Sequence, residues 1–241
     1  MSTIDKVIKQ CFKDTANSFM MIIFGGFFTS LLLAFGFTAL IAPIALIIMI
    51  VGVYKVIAYL FYKSIYAEEA TMYQMLPVSA EEIIISRVFV GMVAWILFYL
   101  TFAESIALGI AFLDSDVGIM GVIEEFCELV YTIGVAAFVS FIAIFLTSIF
   151  LEIVLIFAGV TYFNTNNGAK QKGVQRFAII LGTWGLVRVS EMLYSAVLQL
   201  AIVGNMMTFC IATIGLVVGS IIIGSLLCKQ IKKRLEHNLQ L

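Results

Sequence analysis

The chain has 241 residues, 63% of them hydrophobic and 12% charged, with a net charge of -1. Soluble domains carry about 45–50% apolar and about 25% charged residues, so water is not the main solvent here and the chain reads as a polytopic membrane protein. Its clustered basic residues offer no polyanion-binding face, which argues against nucleic acid; four cysteines without a CxxC pair and a lone His237 argue against a zinc site or a disulfide framework.

In residues 1–18, Ile4, Val7, Ile8, Cys11 and Phe12 recur at i, i+3, i+4, i+7 and i+8, with Lys6, Lys9, Lys13 and Asp14 opposite. That pattern predicts an amphipathic helix lying along the membrane interface before the chain turns in. A spanning helix needs about 20 apolar residues to cross a ~30 Å hydrocarbon core. Six such runs occur, near 19–40, 44–62, 88–113, 129–151 (extending toward 163), 177–203 and 206–228. The first is too long and starts too late for a cleaved signal peptide. Only the Pro43 region separates the first two runs, and only Gly204 and Asn205 the last two, so both pairs are predicted as helical hairpins.

Lysine and arginine collect on the cytoplasmic side of a membrane. They occur here in the leading segment, in the second-to-third connection (Lys63, Arg87), in the fourth-to-fifth (Lys170, Lys172, Arg176) and in the tail (Lys229, Lys232, Lys233, Arg234). Both termini are therefore expected in the cytoplasm, with residues 1–241 forming one transmembrane domain and 229–241 a basic tail. The 114–128 connection instead carries Asp114, Asp116, Glu124, Glu125 and Glu128, interleaved with apolar residues. It reads as a short interfacial or re-entrant helix at the outer mouth, or as a plain connecting helix.

The second-to-third connection is the main polar interruption. Pro77 disfavours helix at Leu76, and Ser79 with Glu82 three residues later fits a capping box opening the next helix. Upstream, helical spacing puts Tyr62, Tyr66, Glu69 and Tyr73 on one face. A plain elbow is the simpler reading, yet an elbow hardly needs 25 residues bearing tyrosines, methionines and acidic pairs.

Four charges fall within or near spans: Glu104, Glu152, Arg188 and Glu191. Each costs about 2.5–3.5 kcal/mol at the centre of a spanning helix, so they should face protein or water. Arg188 and Glu191 share a face of span five; they pair with each other, or Arg188 reaches Glu104. They serve to lock helices, to line a path or to join two copies. Glu152 reads as lying near a helix break, and Lys55 as snorkelling toward the cytoplasm. Gly215, Gly219, Ser220 and Gly224 allow close helix approach in span six. No GxxxxGK[ST], GxSxG or HExxH occurs, so no enzyme, catalytic residue, cofactor or metal is expected on this chain.

The stretch FYKSIYAEEATMYQMLPVSAEEIIISR, Phe61 to Arg87, resembles the second-to-third connection of type-2 ABC exporter permeases of Gram-positive bacteria. Leu76, Pro77, Val78, Ser79 and Arg87 match that pattern as they stand, and Glu69 matches its acidic residue; Ala70 and Thr71 depart from a more usual glycine and aromatic. The resemblance implies an all-α integral membrane half-transporter with six spans, an N-terminal interfacial helix and a cytoplasmic coupling helix between spans two and three. Two permease copies, more readily a homodimer, would work with two separate ABC ATPase subunits that hold ATP and magnesium. Tyr66, Glu68, Glu69, Met72 and Tyr73 would contact the ATPase, and Leu76 to Ser79 would form the rigid joint. It also implies the bacterial cytoplasmic membrane as location and a hydrophobic or amphipathic peptide as cargo, as in phenol-soluble modulin or bacteriocin exporters. An ion-coupled secondary transporter using Glu104, Arg188 and Glu191, and a non-transporting membrane sensor or assembly protein, are the alternatives.

Overall fold

Long apolar runs in hydrocarbon must satisfy every backbone group internally, and helices do so segment by segment. The computed structural model describes residues 3–34, 42–66, 78–113, 118–165, 173–202 and 206–239; these are helical almost throughout, with no strand among them. Helix α1 is Thr3–Ala34, and α2 is Ala42–Ala58, which runs through a π-helical turn, Tyr59–Lys63, into a last turn, Ser64–Tyr66. Then follow α3 (Ala80–Leu113), α4 (Gly118–Ile133), α5 (Val135–Thr165), α6 (Gly173–Ile202) and α7 (Met206–Leu239).

Five described segments, Ile4–Leu32, Leu46–Lys63, Ala80–Leu108, Val135–Asn164 and Met206–Glu236, are long and apolar enough to cross a membrane. The chain is a multi-pass helical membrane protein. Helix α6, also 30 residues long, carries Arg188 and Glu191 along its length and is not among the five.

One core cluster includes Val7, Leu60, Phe61, Ile83, Phe157, Ile231 and Leu235. The starts of α1 and α3 and the ends of α2, α5 and α7 therefore meet at one pole, here called the basal end. Helices of 31 to 34 residues are about 46–51 Å long at 1.5 Å per residue, well beyond a ~30 Å core, so their basal turns can pack on one another outside it.

Three sequence expectations change. Helix α1 runs unbroken from Thr3, so there is no turn between an interfacial helix and a first span. Its amphipathic stripe is a protein contact: Val7 and Cys11 are buried with Ile231 and Leu235, and Ile8 and Phe12 pack beside them. The same periodicity suits a lipid surface or a helical neighbour, which is why the pattern misled. Residues 129–133 belong to α4, not to the fourth span, because Gly134 adopts φ 86°, a left-handed turn that glycine accepts without strain, and α5 starts after it. The basic tail continues α7 as helix to Leu239.

Without a hydrophobic drive between helices in lipid, small residues and polar contacts hold the bundle. A Cβ at Gly26 would stand 2.7 Å from Thr101 Cβ, and one at Gly52 would stand 2.9 Å from Ile22 Cγ1, so α1 approaches both α3 and α2 closely. Ser105 Oγ lies 2.8 Å from the Gly26 carbonyl, and Ser30 Oγ donates to Ser105 at 3.2 Å. Near the basal end the Tyr59 hydroxyl donates to Asp14 at 2.9 Å, tying α2 to α1.

Candidate functional site

The basal joint is built around Arg87, whose side chain is fully buried. Its Nε donates to the Leu60 carbonyl at 2.9 Å and Nη1 to the Ile83 carbonyl at 3.4 Å. A buried guanidinium needs acceptors, and a π turn exposes backbone carbonyls to side chains from neighbouring helices. Leu60 and Phe61 of that turn are buried, and Phe61 stacks on Phe157 of α5 with centroids 4.5 Å apart.

The π turn also resets the helix face. Bonding from i to i+5 winds an extra residue into the turn, so Tyr62 is exposed while Tyr66 turns into the bundle. The Tyr66 hydroxyl is buried beside that of Thr161; neither oxygen completes a hydrogen bond among the described residues. Burial pushes the Tyr66 phenol above its ordinary pKa, an effect that the charges of Arg87 and Arg234 partly offset. Tyr66, expected to reach outward to an ATPase on a face shared with Tyr62, thus points inward. Glu68, Glu69, Met72, Tyr73, Leu76 and Pro77 lie outside the described residues. Val78 is buried, and Ser79 is exposed at the start of α3.

The capping box forms as the spacing predicts. The Ser79 backbone N–H donates to Glu82 Oε2 at 2.9 Å, and the Glu82 N–H donates to Ser79 Oγ at 3.3 Å. Next to it, Lys232 of α7 contacts Glu81 at 2.5 Å, while Glu236 lies 3.8 Å from the same ammonium. Farther along α7, the Arg234 guanidinium sits 3.6 Å from the Tyr162 ring centroid, and the Tyr162 hydroxyl donates to Gln230 Oε1 at 2.7 Å. The joint therefore links α2, α3, α5 and α7.

A second group lies in the bundle wall. Arg188 Nη1 bonds Glu191 Oε2 at 2.5 Å, one turn apart on α6, with side chains 55% and 43% exposed. This chain alone does not enclose the pair. Trp184, a turn earlier, lies under the guanidinium at 5.7 Å. Glu152 of α5 falls within electrostatic reach of both charges, and Tyr99 of α3 within reach of Glu152 and Glu191. Glu152 is thus part of this group rather than the mark of a break, for α5 passes through it unbroken. Glu104 stays exposed on α3 and forms no ion pair with Arg188 among the described residues. Gly215 and Gly219 meet nothing within 4 Å; Gly224 packs on Phe150, and Ser220 Oγ pairs with the Tyr194 hydroxyl at 2.7 Å.

Sequence reasoning missed the buried role of Arg87 and the places of Glu152 and Tyr99. Arg87 and Leu60 are 27 residues apart, and no spacing rule joins them. Glu152 carried a usable signal, a lone carboxylate deep in an apolar run. No group of His, Cys, Asp or Glu suited to a metal ion occurs among the described residues.

Compared with protein-family models, with curated proteins and with solved structures, the chain matches none. The assembled features define a multi-pass helical membrane protein with a polar joint at one pole and a charged group in its wall.

Proposed function

We propose that this chain is the transmembrane permease subunit of an ATP-driven ABC exporter, paired with a second copy and two separate ATPase subunits, and that it moves a hydrophobic or amphipathic peptide out of the cell. The observation that carries this reading is the basal joint. The capped start of α3 follows the Tyr66–Ser79 stretch directly, Arg87 ties α3 to the end of α2, and Glu81 meets Lys232 of α7. A load applied to that stretch would reach three helices at once, as a coupling element requires. On this reading the basal end faces the cytoplasm, in keeping with its lysines and arginines, and α6 is a sixth span. The half-exposed Arg188–Glu191 pair would then be covered by the second copy or by a water-filled path, since hydrocarbon would penalise it.

The decisive experiment co-expresses the chain with ABC ATPase subunits of the same organism that have no membrane domain of their own, and measures co-purification and ATP hydrolysis. Association with stimulated hydrolysis, weakened by Glu68→Lys with Glu69→Lys, is the expected result. An ATPase that neither co-purifies nor responds would remove the proposal.

An ion-coupled transporter is the second reading, favoured by Glu152 within electrostatic reach of the Arg188–Glu191 pair. Proteoliposomes separate the two. Transport by the chain alone on an ion gradient selects the second reading; dependence on an added ATPase and ATP selects the first.

A further inference from the structure

Between α5, α6 and α7, toward the basal end, lies an apolar groove of about 300 Å³. Leu155, Ala158, Leu186 and Leu227 form its walls, and it follows α5 from Leu155 to Tyr162, about 10 Å at helical rise. Gly182 helps to keep it open: a Cβ there would meet nothing within 4 Å. At the basal mouth the chemistry changes. Tyr162 and Gln230 line that end and bond each other at 2.7 Å, and the Arg234 guanidinium rests on the Tyr162 ring. Lys229 and Lys233 are exposed on the same turns of α7. Glu236 and Glu81 both lie near Lys232, so the described end of α7, with Lys229, Lys233 and Arg234 besides, carries net positive charge.

We infer that this groove binds one anionic phospholipid, with an acyl chain in the slot between α5, α6 and α7 and the phosphate at the mouth by Arg234 and Lys233. The two ends of the site set its ligand. A soluble anion would need the cations and not the apolar slot, and a neutral apolar molecule would need the slot and not the cations. A peptide helix, about 10–12 Å across, is too wide for a groove at the lower end of small-molecule volumes, about 300–1,000 Å³. An extended acyl chain fits it. Basic side chains at the ends of membrane helices hold anionic headgroups through charge and hydrogen bonding.

The inference does not depend on the transport reading, because its test needs no ATPase. The full chain, purified and delipidated, is titrated with phosphatidylglycerol, phosphatidylcholine or glycerol 3-phosphate, and binding is read by native mass spectrometry with thermal unfolding alongside. Phosphatidylglycerol is expected to bind at least tenfold more tightly than phosphatidylcholine and to raise the melting midpoint. Gly182→Leu fills the slot where the fold leaves room, and Arg234→Gln removes the charge at the mouth; each is expected to lower phosphatidylglycerol affinity at least tenfold. Lys9→Gln, a basic residue elsewhere at the basal end, is expected to change nothing. Gly182→Leu with unaltered affinity overturns the site, as does equal binding of the two lipids. Competition by glycerol 3-phosphate as effective as the lipid, or an equal loss in Lys9→Gln, also overturns it.

Discussion

The two halves of the bundle differ in how many of their glycines are closed by a neighbouring helix. Among α1, α2 and α3, Gly26 and Gly52 sit where a Cβ would collide with a neighbouring helix, and a Cβ at Gly91 of α3 would stand 3.4 Å from Ile153 Cγ2 of α5. On α6 and α7, a Cβ at Gly182, Gly185, Gly215 or Gly219 would meet nothing within 4 Å, while Gly224 is closed by Phe150. The first half is held by its own close approaches, reinforced by Ser30, Ser105 and Tyr59. Helix α6 is held more sparingly, by Gly159 against Thr183 and by Tyr194 bonded to Ser220, and it leaves Trp184, Val189 and the Arg188–Glu191 pair outward. In lipid, where packing and hydrogen bonds rather than hydrophobicity join helices, that contrast separates a self-sufficient half from one whose surface is shaped for something else.

Substitution of the buried and the half-exposed arginine tests the contrast most severely. Arg87→Ala removes the Arg87 donor to the Leu60 carbonyl and opens a cavity, and is expected to lower stability by about 3 kcal/mol or more in denaturation of the detergent-solubilised chain. Arg188→Ala removes a half-exposed pair and is expected to cost about 1 kcal/mol or less. Equal losses of stability would erase the distinction between the halves. Next in size, Gly26→Leu forces α1 away from Thr101 and is expected to cost about 1–3 kcal/mol by overpacking. Gly215→Leu, in open space, is the matched control and is expected to leave the melting midpoint unchanged.

The features legible in the sequence are those set by neighbours in the chain. The apolar runs gave the helices, and the three-residue spacing of Ser79 and Glu82 gave the capping box that forms. What stayed hidden depends on distant residues. A stripe such as Val7 and Cys11 reads the same whether it meets headgroups or Leu235, so the straight course of α1 could not be told from a turned one. The π turn at Tyr59–Lys63 appears in no local pattern, and because it resets the face after Lys63, it sent Tyr66 inward against an α-helical projection. In the wall group, the spacing of three predicted Arg188 with Glu191, but only packing brought Glu152 and Tyr99 to them.

Smaller effects are expected at the start of α3, where they bear on the joint rather than on the bundle. Ser79→Ala removes the hydroxyl that caps the Glu82 N–H and is expected to cost about 1 kcal/mol, seen as faster hydrogen exchange in the first turn of α3. The Glu81–Lys232 contact is exposed, so Glu81→Lys should leave the melting midpoint where it is. Its effect should be on order at the joint: with two like charges facing each other, the last turns of α7 should exchange faster, and the swap Glu81→Lys with Lys232→Glu should restore protection. Raised salt should shrink the difference between the single variant and the parent, because an exposed pair is screened. If the single variant exchanges like the parent at low salt, α3 and α7 are not coupled through this contact, and a load on the joint would reach α2 through Arg87 but not α7 through Lys232.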